Sequence, residues 1–312
     1  MWDLSRMMPL LFMPQEVFMI KWMIGLLLMV VSSITIASVN VVATTTSMGM
    51  LARTVGGDAV NVTILAPPDR DAHFLQARPS MMAAARRADL LIAVGAELEI
   101  GWLPAVQQGA GNPRINAGQL GYFEAAAQID LIDVGGPADR SRGDIHLEGN
   151  PHFNLDPQRM AQVAKSLAER LALLDPAQAE RYRERALQFS TEVEQRIPGW
   201  RAKAEGAPGI VTYHKDADYL VRWLDVPLHG YVEAYPGIPP TARQLRSLID
   251  NLQGKSGIVL QTNYQPPRGA RLVANELGWP YRALAVEPPM DAKAEAWFAL
   301  IDSWVEAIAS VR

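Results

Sequence analysis

The chain of 312 residues contains no cysteine. Disulfide bonds are therefore excluded, and the folded state must depend on an apolar core, which a chain of this length can supply. Since no lipid can be attached to a cysteine at the end of an export signal, we expect the mature protein to be free in solution. Basic residues are not in excess either: the net charge is −4 and 20% of the residues are charged. This balance argues against nucleic acid as a partner.

The first part of the chain has the pattern of an export signal. Lys21 precedes an unbroken apolar run over residues 23–31, and small residues follow it. The run is short for a membrane-spanning helix. The pattern therefore predicts a signal peptide over residues 1–38, with cleavage near Ala37 or Ser38. A retained N-terminal anchor is the alternative.

Beyond the signal, the chain alternates between predicted strands and helices, as in βαβ units that build a parallel sheet. Four apolar segments of the first half predict strands, at 39–45, 60–65, 88–95 and 131–134. Helices are predicted at 47–55, 79–87 and 157–173. Residues 39–175 are thus predicted to form one α/β lobe.

A long amphipathic segment separates the two halves of the chain. Residues 176–205 carry dense charge, with apolar residues at spacings of three and four, and this predicts one linker helix. The alternation then restarts in residues 206–312, with strands predicted at 209–213, 257–262 and 282–286. We therefore predict an α/β fold of two lobes, each with a mostly parallel sheet flanked by helices, joined by one long rigid helix.

Histidine is scarce, with five residues in the chain, and three of them follow predicted strands. His73, His152 and His214 each come after the end of such a strand, and Glu287 directly follows the last one. Ligands of open α/β sheets bind outside the carboxyl ends of the strands, so we expect these side chains to face the cleft between the lobes. Three neutral imidazoles and one carboxylate suit tetrahedral Zn²⁺, whereas Mn²⁺ prefers more oxygen donors. Spacing alone leaves open the alternative of unrelated surface histidines.

Each of the three histidines lies in a longer motif. The motifs are Asp71-Ala72-His73-Phe74, Asn150-Pro151-His152-Phe153-Asn154-Leu155-Asp156-Pro157 and Tyr213-His214-Lys215-Asp216-Ala217-Asp218-Tyr219-Leu220. Together they resemble motifs of the metal-binding solute receptors of ABC importers, the zinc and manganese class often called cluster A-I. The resemblance spans essentially all of residues 40–310. Ala72 stands where the family usually has proline, and Asn150 where it usually has aspartate.

The resemblance implies that a metal ion is held between two lobes, with His73, His152 and His214 as ligands. A histidine at the third position is similar to the zinc-selective members. The fourth ligand of the family, when present, is a carboxylate near the last strand. Glu287 is the nearest match, and Asp291 is the alternative, although the family more often has aspartate than glutamate at that place.

The chain departs from many zinc members in lacking a long loop rich in histidine and aspartate. The loop at 137–149 holds four histidine or acidic residues, namely Asp139, Asp144, His146 and Glu148. We interpret His146 as a solvated loop histidine, and the alternative is an auxiliary ligand that captures the metal and passes it inward. His229 is interpreted as structural.

The expected protein is a non-enzymatic periplasmic receptor that captures Zn²⁺ and delivers it to the membrane permease of an ABC importer. We expect a monomer, and a periplasmic metallochaperone is a further candidate partner. The alternatives are a manganese-selective receptor of the same fold, a metal-buffering surface protein or adhesin, and a secreted zinc-dependent hydrolase. The hydrolase would use His146 and Glu148 beside His152, but these residues lack the helical pair of histidines that typifies such enzymes.

Overall fold

The computed structural model describes residues 38–135, 146–235 and 237–311. The predicted signal peptide lies outside the described residues, except for Ser38. In the part of the chain that is described, no helix has both the length and the apolar character needed to cross a membrane.

The first half contains a four-stranded parallel sheet. Its strands are β1 (Val39–Ala43), β2 (Val60–Ile64), β3 (Leu90–Ala93) and β4 (Tyr122–Glu124), in the order β2-β1-β3-β4. Its helices are α1 (Thr46–Gly56), α2 (Pro79–Arg86), α3 (Leu103–Ala110) and α4 (Pro157–Leu174). Every residue of β3 is buried, as expected of a central strand in a parallel sheet that is covered on both faces.

One long helix, α5 (Ala179–Ala204), follows the first half after a short 3-10 turn at Pro176–Gln178. Its apolar face is buried through Tyr182, Phe189 and Trp200, and the dense charges lie on the other face. The predicted long helix between two α/β halves is therefore present. The exact limits of the two predicted lobes stay predictions.

The second half repeats the architecture with a second four-stranded parallel sheet. Its strands are β5 (Ile210–Thr212), β6 (Leu228–Tyr231), β7 (Ile258–Thr262) and β8 (Tyr281–Leu284), in the order β6-β5-β7-β8. Its helices are α6 (Asp218–Leu224), α7 (Ala242–Leu252), α8 (Pro267–Leu277) and α9 (Ala294–Ala309). The two sheets confirm the predicted fold class.

The prediction of a strand at 131–134 is wrong, because the fourth strand of the first sheet is β4. The backbone of the 131–134 segment is hydrogen-bonded outside any sheet. Ile132 N donates to Tyr219 Oη at 3.1 Å, and Ile132 O accepts from Asn150 N at 2.8 Å. Leu131 and Ile132 of the segment still pack against the core, which explains why its sequence resembles a strand.

Three elements, α3, β4 and β6, were not predicted. The sequence of β6 is Leu-His-Gly-Tyr, all half-buried, so it shows neither the alternation nor the apolar run of a typical strand. His229 lies within β6, and its Nε2 is 2.9 Å from Pro208 O. This contact agrees with a structural role for His229.

The two halves share their largest apolar cluster. The last helix, α9, packs against α5 and also against α1 of the first half. Phe189 of α5 stacks on Phe298 of α9 with ring centroids 5.6 Å apart, and its ring lies 5.5 Å from that of Trp297. Trp200 Nε1 donates to Asp302 Oδ1 at 2.7 Å. The linker helix is therefore part of a continuous core.

Replacing Phe189 with alanine should lower the free energy of unfolding by about 3–5 kcal/mol, because it leaves a cavity in this shared core. Leu187→Ala is the matched control on the same helix, since Leu187 is 62% exposed, and it should change stability by less than about 0.5 kcal/mol. Urea unfolding followed by circular dichroism measures both variants. Equal losses in the two variants would contradict the described packing.

Candidate metal centre

Four of the five histidines lie together. Nε2 of His73 is 3.0 Å from Nε2 of His146, and Nε2 of His152 is 3.1 Å from Nε2 of His214. The ring centroids of His73 and His152 are 5.1 Å apart, which joins the two pairs into one cluster. The structure thus brings together the three histidines predicted to share a site, and it adds His146 to them.

The first half supplies His73 and His152 from short turns beyond its strands. His73 lies in the 3-10 turn Ala72–Phe74, and Asp71 caps this turn because its Oδ1 accepts from His73 N at 3.0 Å. His152 immediately precedes the 3-10 turn Phe153–Leu155, which leads into α4. Asn150 makes the corresponding contact before His152, since its Oδ1 accepts from His152 N at 2.8 Å. The backbone is therefore held by a side-chain acceptor at both histidines.

His214 and His146 complete the cluster from opposite sides. His214 comes two residues after β5, so it emerges at the carboxyl end of the second sheet. His146 belongs to the first half, and the backbone next to it is held there because Leu147 N donates to Glu97 Oε2 at 2.7 Å. His146 is half-buried, and its ring centroid lies 5.1 Å from that of His73.

Two of the imidazoles have a carboxylate behind them. Asp71 Oδ1 lies 2.6 Å from Nδ1 of His73, and Glu233 Oε1 lies 2.5 Å from Nδ1 of His214. Burial would raise the pKa of the Asp71 carboxyl, but its hydrogen bonds from His73 hold the pKa below the ordinary value. An ionised carboxylate accepts a hydrogen bond from Nδ1–H and so leaves Nε2 as the nitrogen that can bind a metal.

Burial and charge act in opposite directions on the two central histidines. Burial, together with repulsion from His214 and His73, holds the pKa of His152 well below the ordinary value. Burial would also lower the pKa of His214, but the carboxylates of Asp216 and Glu233 outweigh it and raise the pKa to about 9. His152 is therefore neutral at physiological pH, which is the form in which imidazole binds a metal.

Glu287 lies beside the cluster, where its carboxylate joins the two halves. It lines a small cavity of about 40 Å³ together with His73 and His152. Its Oε2 accepts from Thr46 Oγ1 at 2.7 Å and from Ser47 N at 2.6 Å, at the beginning of α1. Burial raises the pKa of the Glu287 carboxyl, and these hydrogen bonds oppose that rise. Glu287 thus links the end of the second sheet to the first helix.

The carboxylates predicted as fourth ligand lie outside the groups of donor atoms that are close enough to share an ion. Within the described ranges, two groups of three residues have donor atoms within 4.8 Å of one another. One is His73, His146 and His152, and the other is His152, His214 and Asp216. Neither Glu287 nor Asp291 belongs to them, and Asp291 is exposed.

Glu233 is a residue of the centre that sequence reasoning missed. It lies 8% exposed, two residues after β6, and β6 pairs in parallel with β5. Parallel neighbouring strands end at the same edge of a sheet, so Glu233 and His214 emerge side by side. Recognising β6 in the sequence would have placed Glu233 there.

Comparison with known proteins places these features in a family. The model of the family described as "Zinc-uptake complex component A periplasmic", ZnuA, matches residues 41–311. The chain belongs to this family. Similar proteins include the manganese ABC transporter substrate-binding lipoprotein PsaA of Streptococcus pneumoniae, 22% identical over 221 residues, which are 69% of this chain and 68% of that protein. The iron ABC transporter substrate-binding lipoprotein MtsA of Streptococcus pyogenes is 24% identical over 221 residues, which are 69% of this chain and 68% of that protein.

The fold is also that of a solved family structure. A crystal structure of ZnuA superposes with a TM-score of 0.72 at 20% identity, covering 88% of this chain and 99% of that one. Members of the family are solute-binding receptors that bind a metal ion and work with the membrane permease of an ABC importer. The chain is therefore a metal receptor and not an enzyme, which excludes the hydrolase alternative.

Replacing Glu287 with alanine should lower the free energy of unfolding by about 1–3 kcal/mol, because the Thr46 hydroxyl and the Ser47 N–H lose their buried acceptor. Glu276→Ala on the exposed face of α8 is the control and should cost no more than about 0.5 kcal/mol. Unfolding both variants with a chelator present keeps metal binding out of the comparison. A Glu287→Ala variant as stable as the control would show that this carboxylate does not secure the junction.

Proposed function

We propose that the protein captures Zn²⁺ in the periplasm and delivers it to the permease of an ABC importer. The observation that carries this proposal is the cluster of four imidazoles, in which Nε2 atoms approach each other at 3.0 and 3.1 Å. Nitrogen donors of this kind suit Zn²⁺, whereas Mn²⁺ favours carboxylate and carbonyl oxygens.

The spacing of the nitrogens supports a tetrahedral ion. Zinc–nitrogen bonds of about 2.0–2.1 Å place two nitrogens of a tetrahedral site about 3.3–3.4 Å apart. The two nitrogen pairs of the cluster need to widen by only about 0.3 Å to reach this separation. Small rotations of the imidazole rings supply such a change, because the outer torsion angle of histidine is broad.

The proposed donors are His73, His146, His152 and His214. Because His214 belongs to a different group from His73 and His146, the rings must close on the ion when it binds. His146 takes the fourth position in this proposal, and Glu287 acts by joining the two halves beside the ion. The carboxylates of the centre support a zinc site in another way: Asp71 and Glu233 face Nδ1 atoms, so they hold the rings and add negative charge without entering the donor set.

The periplasm is supported by the pattern of the first 38 residues and by the description of the matched family. The partner that follows from this function is the membrane permease. The monomeric state and a periplasmic metallochaperone stay predictions.

Purified protein should bind one equivalent of Zn²⁺ with a dissociation constant on the order of nanomolar or tighter, as protein zinc sites do. His152→Ala should weaken binding by at least about 100-fold, because it removes a donor shared by both groups of ligand atoms. Elemental analysis after zinc loading measures the stoichiometry, and competition with a chromogenic chelator measures the affinity.

The matched control for this experiment is His229→Gln. It removes the fifth histidine, which lies in β6 outside the cluster, and it should bind zinc as the unaltered protein does. Zinc binding that is absent from the unaltered protein, or lost equally in both variants, would contradict the proposal.

Zinc should also remain bound in the presence of about a hundredfold excess of Mn²⁺, because the donors are nitrogens. His146→Asp replaces one imidazole with a carboxylate and should lower the ratio of the affinity for zinc to the affinity for manganese. Calorimetric competition titrations of both proteins measure this ratio. If Mn²⁺ displaces zinc from the unaltered protein at comparable concentrations, the protein is a manganese receptor of the same fold.

A further inference from the structure

His152 differs from its neighbours in how its Nδ1 atom is placed. His73 and His214 each have a carboxylate oxygen within hydrogen-bonding distance of Nδ1, at 2.6 and 2.5 Å. The corresponding oxygen for His152 is Oδ1 of Asp216, and it lies 3.8 Å from Nδ1. This separation is longer than a hydrogen bond, although the two groups face each other in a buried space.

Asp216 has an oxygen with no partner. Its side chain is 4% exposed, and it lies in the 3-10 turn Lys215–Ala217 that follows His214. Oδ2 accepts from Gln265 Nε2 at 2.9 Å, whereas Oδ1 is buried without a hydrogen bond among the described residues. A buried carboxylate oxygen without a donor is costly, and the imidazole of His152 is a side-chain group that can donate to it from 3.8 Å away.

We propose that Asp216 positions His152, accepting a hydrogen bond from Nδ1 when Nε2 binds the ion; this rests on the proposed zinc function. The pair would complete a set of three in which Asp71, Glu233 and Asp216 stand behind three imidazoles. Such a partner fixes the tautomer and direction of the ring and makes its other nitrogen a better donor. A ring rotation that shortens the gap by less than about 1 Å is sufficient.

Direct ligation by Asp216 is the competing role, since its oxygen lies within 4.8 Å of donor atoms of His152 and His214. A positioning role for Asp216 is favoured by the sides from which His214 and Asp216 approach the ring of His152. His214 meets His152 at Nε2, and Asp216 meets it at Nδ1. The two nitrogens lie on different sides of the imidazole ring, so an ion bound at Nε2 leaves Asp216 behind the ring.

The set of three carboxylates also accounts for the charge of the centre. A divalent ion bound by neutral imidazoles keeps both of its positive charges, and in a buried site these need compensation. Asp71, Glu233 and Asp216 supply it from behind the donors. A buried ion can therefore be bound by nitrogen ligands alone, and these ligands favour zinc.

The test is Asp216→Asn, which keeps the size of the side chain and removes its charge. Zinc affinity should fall by about 10–100-fold, while the denaturation midpoint of the protein kept free of metal should not fall. The control is Asp218→Asn in the same segment. Asp218 is equally buried and its Oδ1 also lacks a hydrogen bond, while its Oδ2 accepts from Tyr231 Oη at 2.8 Å. It differs from Asp216 in that no ion pair or hydrogen bond joins it to a histidine ring nitrogen among the described residues. This control should bind zinc within about threefold of the unaltered protein.

Proton NMR of the zinc-loaded protein separates positioning from ligation. Positioning predicts three strongly deshielded imidazole Nδ1–H signals, from His73, His152 and His214, and Asp216→Asn should move only that of His152. Two such signals in the unaltered protein, with none from His152, would overturn the proposal in favour of direct ligation. Unchanged affinity in Asp216→Asn, or an equal loss in Asp218→Asn, would overturn it as well. These results leave the zinc function intact, whereas failure of the unaltered protein to bind zinc would remove both.

Discussion

The hydrogen bond from an imidazole Nδ1 to a buried carboxylate is the interaction on which the centre depends. Four imidazoles packed in one place repel each other when they are protonated, and they must all present a lone pair to hold an ion. Asp71 and Glu233 orient the rings of His73 and His214 for this purpose, since each carboxylate accepts a hydrogen bond from Nδ1–H and leaves Nε2 facing the cluster. The pKa shifts of the two central histidines differ: burial dominates at His152, which stays neutral, whereas at His214 neighbouring carboxylates outweigh burial and raise the pKa to about 9. Metal-free His214 is therefore protonated at neutral pH and must release a proton when an ion binds.

The cluster forms only because the two parallel sheets are held at a fixed distance and orientation. His73 and His152 come from the first half, and His214 with Glu233 comes from the second. The apolar cluster that spans both halves, together with helices α5 and α9, sets the distance between their strand ends. Glu287 adds a polar contact at the same junction by accepting from Thr46 and Ser47. The core that stabilises the fold therefore also determines the spacing of the donors.

Similar proteins are named for different metals. The similar proteins PsaA and MtsA are named for manganese and iron, and the superposed structure is that of ZnuA. Identities near 20% preserve the two sheets and the long helix while leaving room for changes of donor type. In this chain the acidic residues Asp71 and Glu233 contact Nδ1 atoms and not the centre of the cluster. A buried divalent ion can then have nitrogen donors and still be compensated in charge.

Local patterns were enough to predict most strands and helices, because apolar periodicity and turn residues act over a few neighbouring positions. They also indicated His73, His152 and His214, since each lies at the end of an element or in a motif. The segment 131–134 was wrongly predicted as a strand because its side chains Leu131 and Ile132 pack on the core without joining a sheet. The strand β6 was missed because it is short and half-buried. The tertiary structure alone decided that Glu233 stands behind His214, that Glu287 contacts α1, and that His146 joins the cluster. Those distances arise between residues far apart in the chain, and they are fixed by the packing of two sheets on one core.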